Sequence, residues 1–438
     1  MRHLHHALAV ALTATPALAQ SCPGHFEAPL QMTWSFQALR DVLTVKQLTN
    51  GDIVIGGDGS HQLIHRYSAA SGTWSSMGFA YPNTPDGRIL ALETDAQGRL
   101  YAAGETMRMG IGMDAPRSFV ALYDSQTDAW APLAGMPTVL SAWAMFCITR
   151  TANGDMIFGG YATFAGPDGS RGSAVRLTPE TNQWTVIPTT ATASPIMSVL
   201  ELPNGDLVLA GGGSRIGTAT SRYVARFETS TGAWHSMGTG FNDTVQTLKL
   251  LPNGDVLALG DFTMADGAPA RRVARYSFAT NAWTPVGDGL GVTPLSGSVT
   301  DAFILPDGDL IASGWFDTQT AWGAARYDAA TNQWSGLAGM PYYAEKLTQL
   351  QNGNLAIACY GMGANPRPTV AIYNLGFAGD FNNDGEANTD QDIEDFFACL
   401  GGHCCATCPT NSDINGDGDI GTDQDIESFF RVLGGGAC

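Results

Sequence analysis

Pro203-Asn204-Gly205-Asp206, followed by the apolar run Leu207-Val208-Leu209 and then by Gly211, is one of seven copies of a single pattern. The others are Thr49-Asn50-Gly51-Asp52, Ala96-Gln97-Gly98-Arg99, Ala152-Asn153-Gly154-Asp155, Pro252-Asn253-Gly254-Asp255, Pro306-Asp307-Gly308-Asp309 and Gln351-Asn352-Gly353-Asn354. Their glycines stand 47, 56, 51, 49, 54 and 45 residues apart. Asn-Gly and Asp-Gly supply positive φ, and the flanking runs, such as Val256-Leu257-Ala258-Leu259, favour β structure. Each copy therefore predicts a two-residue hairpin joining adjacent antiparallel strands.

Two further features keep step with the turn. Six residues after each turn glycine stands another glycine, at Gly57, Gly104, Gly160, Gly211, Gly260 and Gly314, with Cys359 in the seventh copy. Such a glycine marks close backbone approach. Beyond it an aromatic residue and a tryptophan recur seven positions apart: Tyr67 and Trp74, Tyr123 and Trp130, Phe227 and Trp234, Tyr276 and Trp283, Tyr327 and Trp334, with Leu177 and Trp184 relaxing the first position. The unit has the length of a four-stranded propeller blade. Glycine after the second strand, then Tyr and Trp bracketing the next turn, with Met136-Pro137 and Met340-Pro341 after the fourth strand, resemble the kelch-type repeat over residues 30 to 376. The expected fold is all-β: a seven-bladed β-propeller with a small α-helical C-terminal domain.

The seventh copy ends at Tyr373 with Asp380 where its Trp would fall, whereas Gln31 to Phe36 carries Trp34 without strands of its own before it. This N-terminal strand is expected to complete the last blade, since open sheet edges invite aggregation. The repeat tryptophans are expected between blades, where each buries roughly 150 to 250 Å². Arg66, Arg176, Arg226, Arg275 and Arg326 stand just before the repeat aromatic or its equivalent. With Asp recurring at the turns, they read as inter-strand ion pairs and not as a basic ring for an anion.

Composition narrows the function. Of 438 residues only 14% are charged, with 53 Gly and 22 Pro, which suits turn-rich β structure and excludes a coiled coil. Twenty-two basic against 41 acidic side chains give a net charge of -19, and the only lysines are Lys46, Lys249 and Lys346, so nucleic acid and anionic lipid are disfavoured partners. Arg2, the apolar stretch from Ala7 to Leu12 and Ala17-Leu18-Ala19 read as a signal peptide over 1–19, giving a secreted or cell-surface protein. All eight cysteines follow it, an even number that suits disulfides in an oxidising compartment. Cys399, Cys404, Cys405, Cys408 and Cys438 crowd the tail, whereas Cys147 and Cys359, inside apolar strands, read as buried thiols.

After the propeller region, 20–376, a different repeat occupies 377–438. Asp380-Phe381-Asn382-Asn383-Asp384-Gly385-Glu386 matches Asp413-Ile414-Asn415-Gly416-Asp417-Gly418-Asp419, each followed by Thr-Asp-Gln-Asp-Ile-Glu and a Phe-Phe pair. Oxygen ligands at loop positions 1, 3 and 5, with glycine at 6 for the sharp turn, are what a hard Ca²⁺ needs. The candidate ligands are Asp380, Asn382, Asp384, Glu386, Asp390 and Asp392, and Asp413, Asn415, Asp417, Asp419, Asp423 and Asp425. Thr389 and Thr422 suit helix N-caps, with Ile393, Phe396, Phe397 and Leu400 on one apolar stripe. The pattern resembles a dockerin-type domain of the Cys-containing kind, in which two EF-hand-like loops each precede a helix. That resemblance implies about two Ca²⁺ and a cohesin-like receptor on a scaffold or surface. The position of the closing ligand differs, since Gln391 and Gln424 stand at position 12 between the two Asp of each pair.

Kelch-like propellers include copper oxidases that resemble galactose oxidase, whose site needs tyrosines, histidines and a Cys cross-linked to a Tyr. After the leader this chain holds only His25, His61, His65, His235 and His403, and no nucleophile elbow, HExxH helix or Walker loop. The reading is a dockerin-anchored recognition module for a glycan or protein, with a carbohydrate-active oxidase or lyase as the alternative. The second-to-third strand segments, Glu105 to Ser118, Tyr161 to Ser173, Gly213 to Tyr223 and Asp261 to Arg271, are expected as long variable loops on one face. Trp143, Trp315 and Trp322 fall outside the repeat Trp position and, with Phe316, Tyr342 and Tyr343, are candidates for a sugar-stacking patch. The tail makes a direct prediction. Calorimetry of the full chain should show Ca²⁺ uptake near two equivalents, and Asp380→Ala with Asp384→Ala should remove one site and leave the other; no uptake at millimolar Ca²⁺ reduces the tail to an acidic linker.

Overall fold

The computed structural model describes residues 25–26, 30–31, 39–59, 63–77, 87–108, 117–189, 194–291, 297–318, 321–337, 340, 343–360 and 368–375, with 393, 426–428 and 430. The chain forms two compact units, Phe26–Tyr373 and a second made of Met1–His25 with Asn374–Cys438. Within 377–438 the described residues, Ile393, Ile426, Glu427, Ser428 and Phe430, are helical. Every candidate calcium ligand lies outside the described residues.

Unit Phe26–Tyr373 is built from antiparallel meanders. Leu39–Gln47 pairs with Ile53–Gly59, that strand with Ile64–Ser68, and the third with Thr73–Ser76. The same four-strand order recurs from Gly87–Thr94 to Ala129–Pro132, Thr138–Arg150 to Gln183–Ile187, Ile196–Glu201 to Ala233–His235, Val245–Leu250 to Ala282–Pro285 and Val299–Ile304 to Gln333–Gly336. A last group consists of Tyr343–Gln349, Leu355–Tyr360 and Pro368–Asn374. Against its outer strand lies Leu30–Gln31, with Leu30 opposite Val370 and Gln31 opposite Pro368. Each meander's first strand abuts the first strands of its neighbours, and Tyr343–Gln349 abuts Leu39–Gln47, so the first strands close a ring.

The apolar core is distributed between meanders. Val42, Val45, Ile55 and Trp74 of the first pack on Leu350, Ala356, Ala358, Val370 and Ile372 of the last. Successive meanders share similar clusters, for example Val208 and Val224 with Val256, Ala274 and Trp283. The repeat aromatic and tryptophan sit opposite each other in register with ring centroids 4.9 to 5.4 Å apart. From there each indole reaches back to the preceding meander: Trp130 Nε1 donates to the Met77 carbonyl at 3.0 Å, Trp184 to Ala134, Trp234 to Pro188, Trp283 to Met237 and Trp334 to Val286 at 2.9 Å. The buried Trp74 Nε1 has no acceptor among the described residues.

The repeated glycines are needed for space. A Cβ on Gly57, Gly104, Gly160, Gly211, Gly260 or Gly314 would stand 1.9 to 2.2 Å from a carbonyl oxygen in the first strand or on the residue just before it, and the strand bulges at that level. Where Cys359 replaces the glycine, the register break runs from Ala344 to Leu347 and takes in Glu345 and Lys346.

The turns differ from the expected two-residue hairpins. Leu202 N donates to the Asp206 carbonyl and Gly205 N to the Leu202 carbonyl, both at 2.8 Å, and Gly205 has φ 82° while Asn204 stays outside the positive region. Pro203-Asn204-Gly205 is therefore a three-residue loop, a type I turn closed by a left-handed glycine bulge. Its cause is legible in the sequence, because proline's φ near -65° fits the first central position of a type I turn, and Pro203 has no N–H to give the Asp206 carbonyl, as the tighter hairpin requires.

The turn aspartates pair with the periodic arginines as expected: Asp206 with Arg226 at 2.7 Å, Asp309 with Arg326 at 2.8 Å, Asp255 with Arg275 at 3.0 Å, and Asp155 with Arg176 and Asp52 with Arg66 more loosely. Asp206 Oδ1 also accepts from Thr229 N, and Asp309 Oδ1 from Ala329 N, so each ties the first hairpin to the third strand. Gly205→Ala, with a strained φ but open space, should lower stability by about 1 to 2 kcal/mol. Gly211→Ala, whose Cβ would meet the Pro195 oxygen at 1.9 Å, should lose more than about 3 kcal/mol in denaturant unfolding. Equal losses would contradict the packing argument.

Candidate ligand-binding site

First strands begin, and second strands end, at the end of the ring opposite the Asn-Gly turns. At that end the last, first and second meanders bring together Glu345, Tyr360, Asp41, Asp58, Arg88 and Glu105. The side-by-side pairing of Asp58 with Arg88 joins the first two meanders. Arg88 Nε then lies 3.3 Å from Asp58 and 3.9 Å from Glu105. Asp41 and Asp58 are buried, whereas half of the Arg88 side chain is open to solvent.

Glu345 accepts a hydrogen bond from Trp315 Nε1. Burial pushes its carboxyl up to about 7, against the pull of Trp315 and Lys346, and Asp41 adds to the rise. Burial, then Asp41 and Asp58, also raise the Tyr360 phenol, so this end of the ring carries a concentrated negative field around one arginine.

An aromatic wall flanks these groups. Trp315 stacks on Tyr343 at 5.5 Å with planes 5° apart and touches Tyr360 at 4.2 Å. Trp322 meets Tyr343 edge-on at 6.0 Å and is 57% exposed, a large cost in apolar surface unless something covers it. Here the indole that orients the acid belongs to the wall that faces solvent. Polar groups for hydroxyls beside a flat apolar face are what a pyranose ring needs, since its C–H face is apolar and its rim carries donors and acceptors.

The sequence expectations divide at this point. Trp315, Trp322 and Tyr343 come together, whereas Phe316 is buried in the core and Tyr342 lies outside the described residues. Trp143 belongs to the third meander, with its own partners Phe146 and Tyr161. The expected loop from Tyr161 to Ser173 is mostly strand: Met156–Ala165 and Arg171–Thr178 run through it, leaving 166–170 as the turn. Asp261 to Arg271 holds a small hairpin, Met264–Ala265 with Ala268–Pro269.

Cys147 and Cys359 are free thiols, Cys359 buried as read and Cys147 half-buried, and desolvation pushes both up to about 12. The other six cysteines lie outside the described residues, as does His61. His65 is buried, and His235 meets Glu228 at 2.8 Å on an outer strand.

All three lysines lie on first strands and bind across to neighbours: Lys46 to Glu93 at 2.5 Å, Lys249 to Asp301 at 2.7 Å, and Lys346 to Thr247 Oγ1 and the Thr300 carbonyl. They hold the ring together and are not an anion site. The site residues that the sequence reading missed are Glu345, Asp41, Asp58, Arg88, Glu105 and Tyr360. One signal was present, in that the only copy without the repeated glycine, at Cys359, is the one whose widened bulge carries Glu345.

No protein-family profile matches the sequence, and no curated protein is significantly similar to it. Solved structures do resemble it. The extracellular domain of a one-component system of B. thetaiotaomicron matches 80% of this chain at 12% identity with TM-score 0.54, and that of a hybrid two-component system of the same organism matches 82% at 14% identity with TM-score 0.53. The matched part is 39% and 42% of those chains, so this protein spans about two fifths of their length. YCF48 bound to D1 peptide matches 82% of this chain and 99% of its own, at 12% identity and TM-score 0.53. These neighbours are β-propellers, and with the ring of first strands they make Phe26–Tyr373 a β-propeller. No helix among the described residues is long and apolar enough to cross a membrane.

Glu345 makes the protein's stability fall with pH. Its folded pKa lies above the ordinary value near 4.5, so the native state holds a proton that the unfolded chain releases between there and about 7. Its contribution is complete below pH 4.5 and lost as pH rises through 7, in total of the order of 1 to 3 kcal/mol. Unfolding of the parent and of Glu345→Gln, compared from pH 4.5 to 8, should diverge over that window, with the parent losing stability relative to the variant. Parallel curves would contradict the assignment.

Proposed function

We propose that this protein is a secreted recognition module whose propeller binds a neutral polysaccharide at the end opposite the Asn-Gly turns. The observation that carries this reading is the exposed Trp322, backed by Tyr343 and Trp315, beside the carboxyl of Glu345. Carboxylates surrounding Arg88, in a chain of net charge -19, favour hydroxyl-rich neutral or amine-bearing sugars and repel uronic acids and sulfate esters. Extracellular placement of two neighbours, which are described as extracellular domains, agrees with this reading.

The finer architecture belongs to the same proposal. The ring has seven kelch-like blades, and Trp34 serves the last as the missing repeat tryptophan. The buried indole of Trp74 supports this, because every later repeat Trp for which a donor bond is described finds its acceptor three or four residues beyond the preceding Trp position. For Trp74 that position falls just after Trp34. The tail, 377–438, is a dockerin-type domain that holds about two Ca²⁺ through ligands drawn from the twelve candidates named above, one Asp of each closing pair completing its loop, and attaches the propeller to a cohesin-like receptor.

The alternative reading is a carbohydrate lyase or oxidase. One observation favours it, since Glu345 keeps its proton to near neutrality beside Tyr360, as a general acid must.

Affinity electrophoresis of the full chain in gels containing β-glucan, glucomannan or xylan, beside pectate and alginate, tests the proposal. Retardation by a neutral polymer, weakened about tenfold in Trp322→Ala without loss of folding, is expected. Retardation by the polyanions alone would overturn it, and unsaturated or peroxide products from a retained polymer would replace it with the enzymatic reading.

A further inference from the structure

Four of the large apolar side chains exposed among the described residues, Val139, Leu140, Trp143 and Tyr161, belong to one hairpin, Thr138–Arg150 with Met156–Ala165. Among the described residues these are the longest first and second strands of any meander, 13 and 10 residues, and their extra length lies at the end of the ring that holds Trp322 and Glu345. Trp143 is 57% exposed, as is Trp322. Tyr161 and Phe146 meet it at 6.3 Å and steep angles of 79° and 68°, an arrangement that braces the indole without a parallel ring covering it.

A continuous line of paired backbone and side chains joins this hairpin to the site already described. Glu105 lies opposite Ala144, next in sequence to Trp143, because the second strand of the second meander pairs there with the first strand of the third. Glu105 is bound to Arg88, Arg88 to Asp58, and Asp58 faces the cluster of Asp41, Tyr360 and Glu345 under the Trp315 and Trp322 wall. Two exposed indoles thus stand at the two ends of one polar track that crosses from the sixth and last meanders, over the first and second, to the third.

We infer that Trp143, with Tyr161 and Phe146, is a second aromatic platform for the glycan, so that the ligand is a polymer lying along the track and not a chain end held in one pocket. This rests on the polysaccharide reading above. A chain long enough to reach both platforms engages the second one intramolecularly, which raises affinity steeply with length, while a short oligomer gains nothing from it.

The test uses the full chain and ladders of cello-, manno- and xylo-oligosaccharides of two to eight sugars, titrated by calorimetry. Affinity of the parent should rise with length in at least one ladder. Trp143→Ala should lower affinity for the longest members about tenfold or more, reducing them to the level of the short ones, and leave the shortest unchanged. Trp322→Ala should weaken every length. Leu140→Ser, on the same hairpin without an aromatic ring, should behave as the parent. Unchanged affinities in Trp143→Ala, or an equal loss in Leu140→Ser, would overturn the second platform and leave the Trp322 site standing. If the parent binds no member of any ladder, the polysaccharide reading falls and this inference with it.

Discussion

The close approach between each repeated glycine and the bulged carbonyl opposite it sets the geometry on which the rest depends. A side chain there would sit about 2 Å from an oxygen, so in six meanders the bulged first strand is accommodated by glycine on the second. The bend recurs in meander after meander, and with it the first strands meet their neighbours and close a ring. The tryptophans then bind outward what the bulges arrange inward, because five of the indoles, from Trp130 to Trp334, donate to a carbonyl of the meander before. Closure is thus enforced at two radii, by a steric requirement near the centre and by a directed hydrogen bond farther out.

The end opposite the Asn-Gly turns inherits its character from this arrangement. Some polar residues on first strands serve the ring, as the three lysines do by linking one first strand to those of other meanders. Others gather at the site, and where Cys359 stands in for the glycine the register break takes in Glu345 and Lys346, which places Glu345 near the start of its strand. Its burial beside Trp315 raises the proton affinity of the carboxyl, and the same indole stacks on Tyr343 at the edge of the exposed wall. The acid and its aromatic setting therefore come from two meanders, Glu345 and Tyr343 from the last and Trp315 from the sixth.

Much of this was legible in the sequence, because periodic demands leave periodic residues. Gly211 and its equivalents announce close approach, Tyr276 with Trp283 announces an inter-meander clasp, and Asp206 with Arg226 announces the ion pair between hairpins. The hairpin type was misjudged at Asn204-Gly205, although Pro203 has no N–H for the flanking pair that a two-residue hairpin needs, and Leu202 donates in its place. What the sequence could not display is proximity created by closure. Asp41 and Tyr360 meet only because the last meander packs on the first, and no spacing within the chain records that contact. Trp143 and Trp322 were noticed for standing outside the repeat, yet one belongs to the third meander and the other to the sixth, and only the paired line through Glu105 and Arg88 connects them.

The central claim is that recognition occurs at the end of the ring where the first strands begin. A crystal structure of the full chain soaked with an eight-sugar neutral oligosaccharide tests this most directly. The account predicts sugar rings stacked on Trp322, with hydroxyls on the groups around Arg88 and Glu345. Sugar bound instead at the Asn-Gly turn end, or on the outer strands with Trp322 bare, would contradict it.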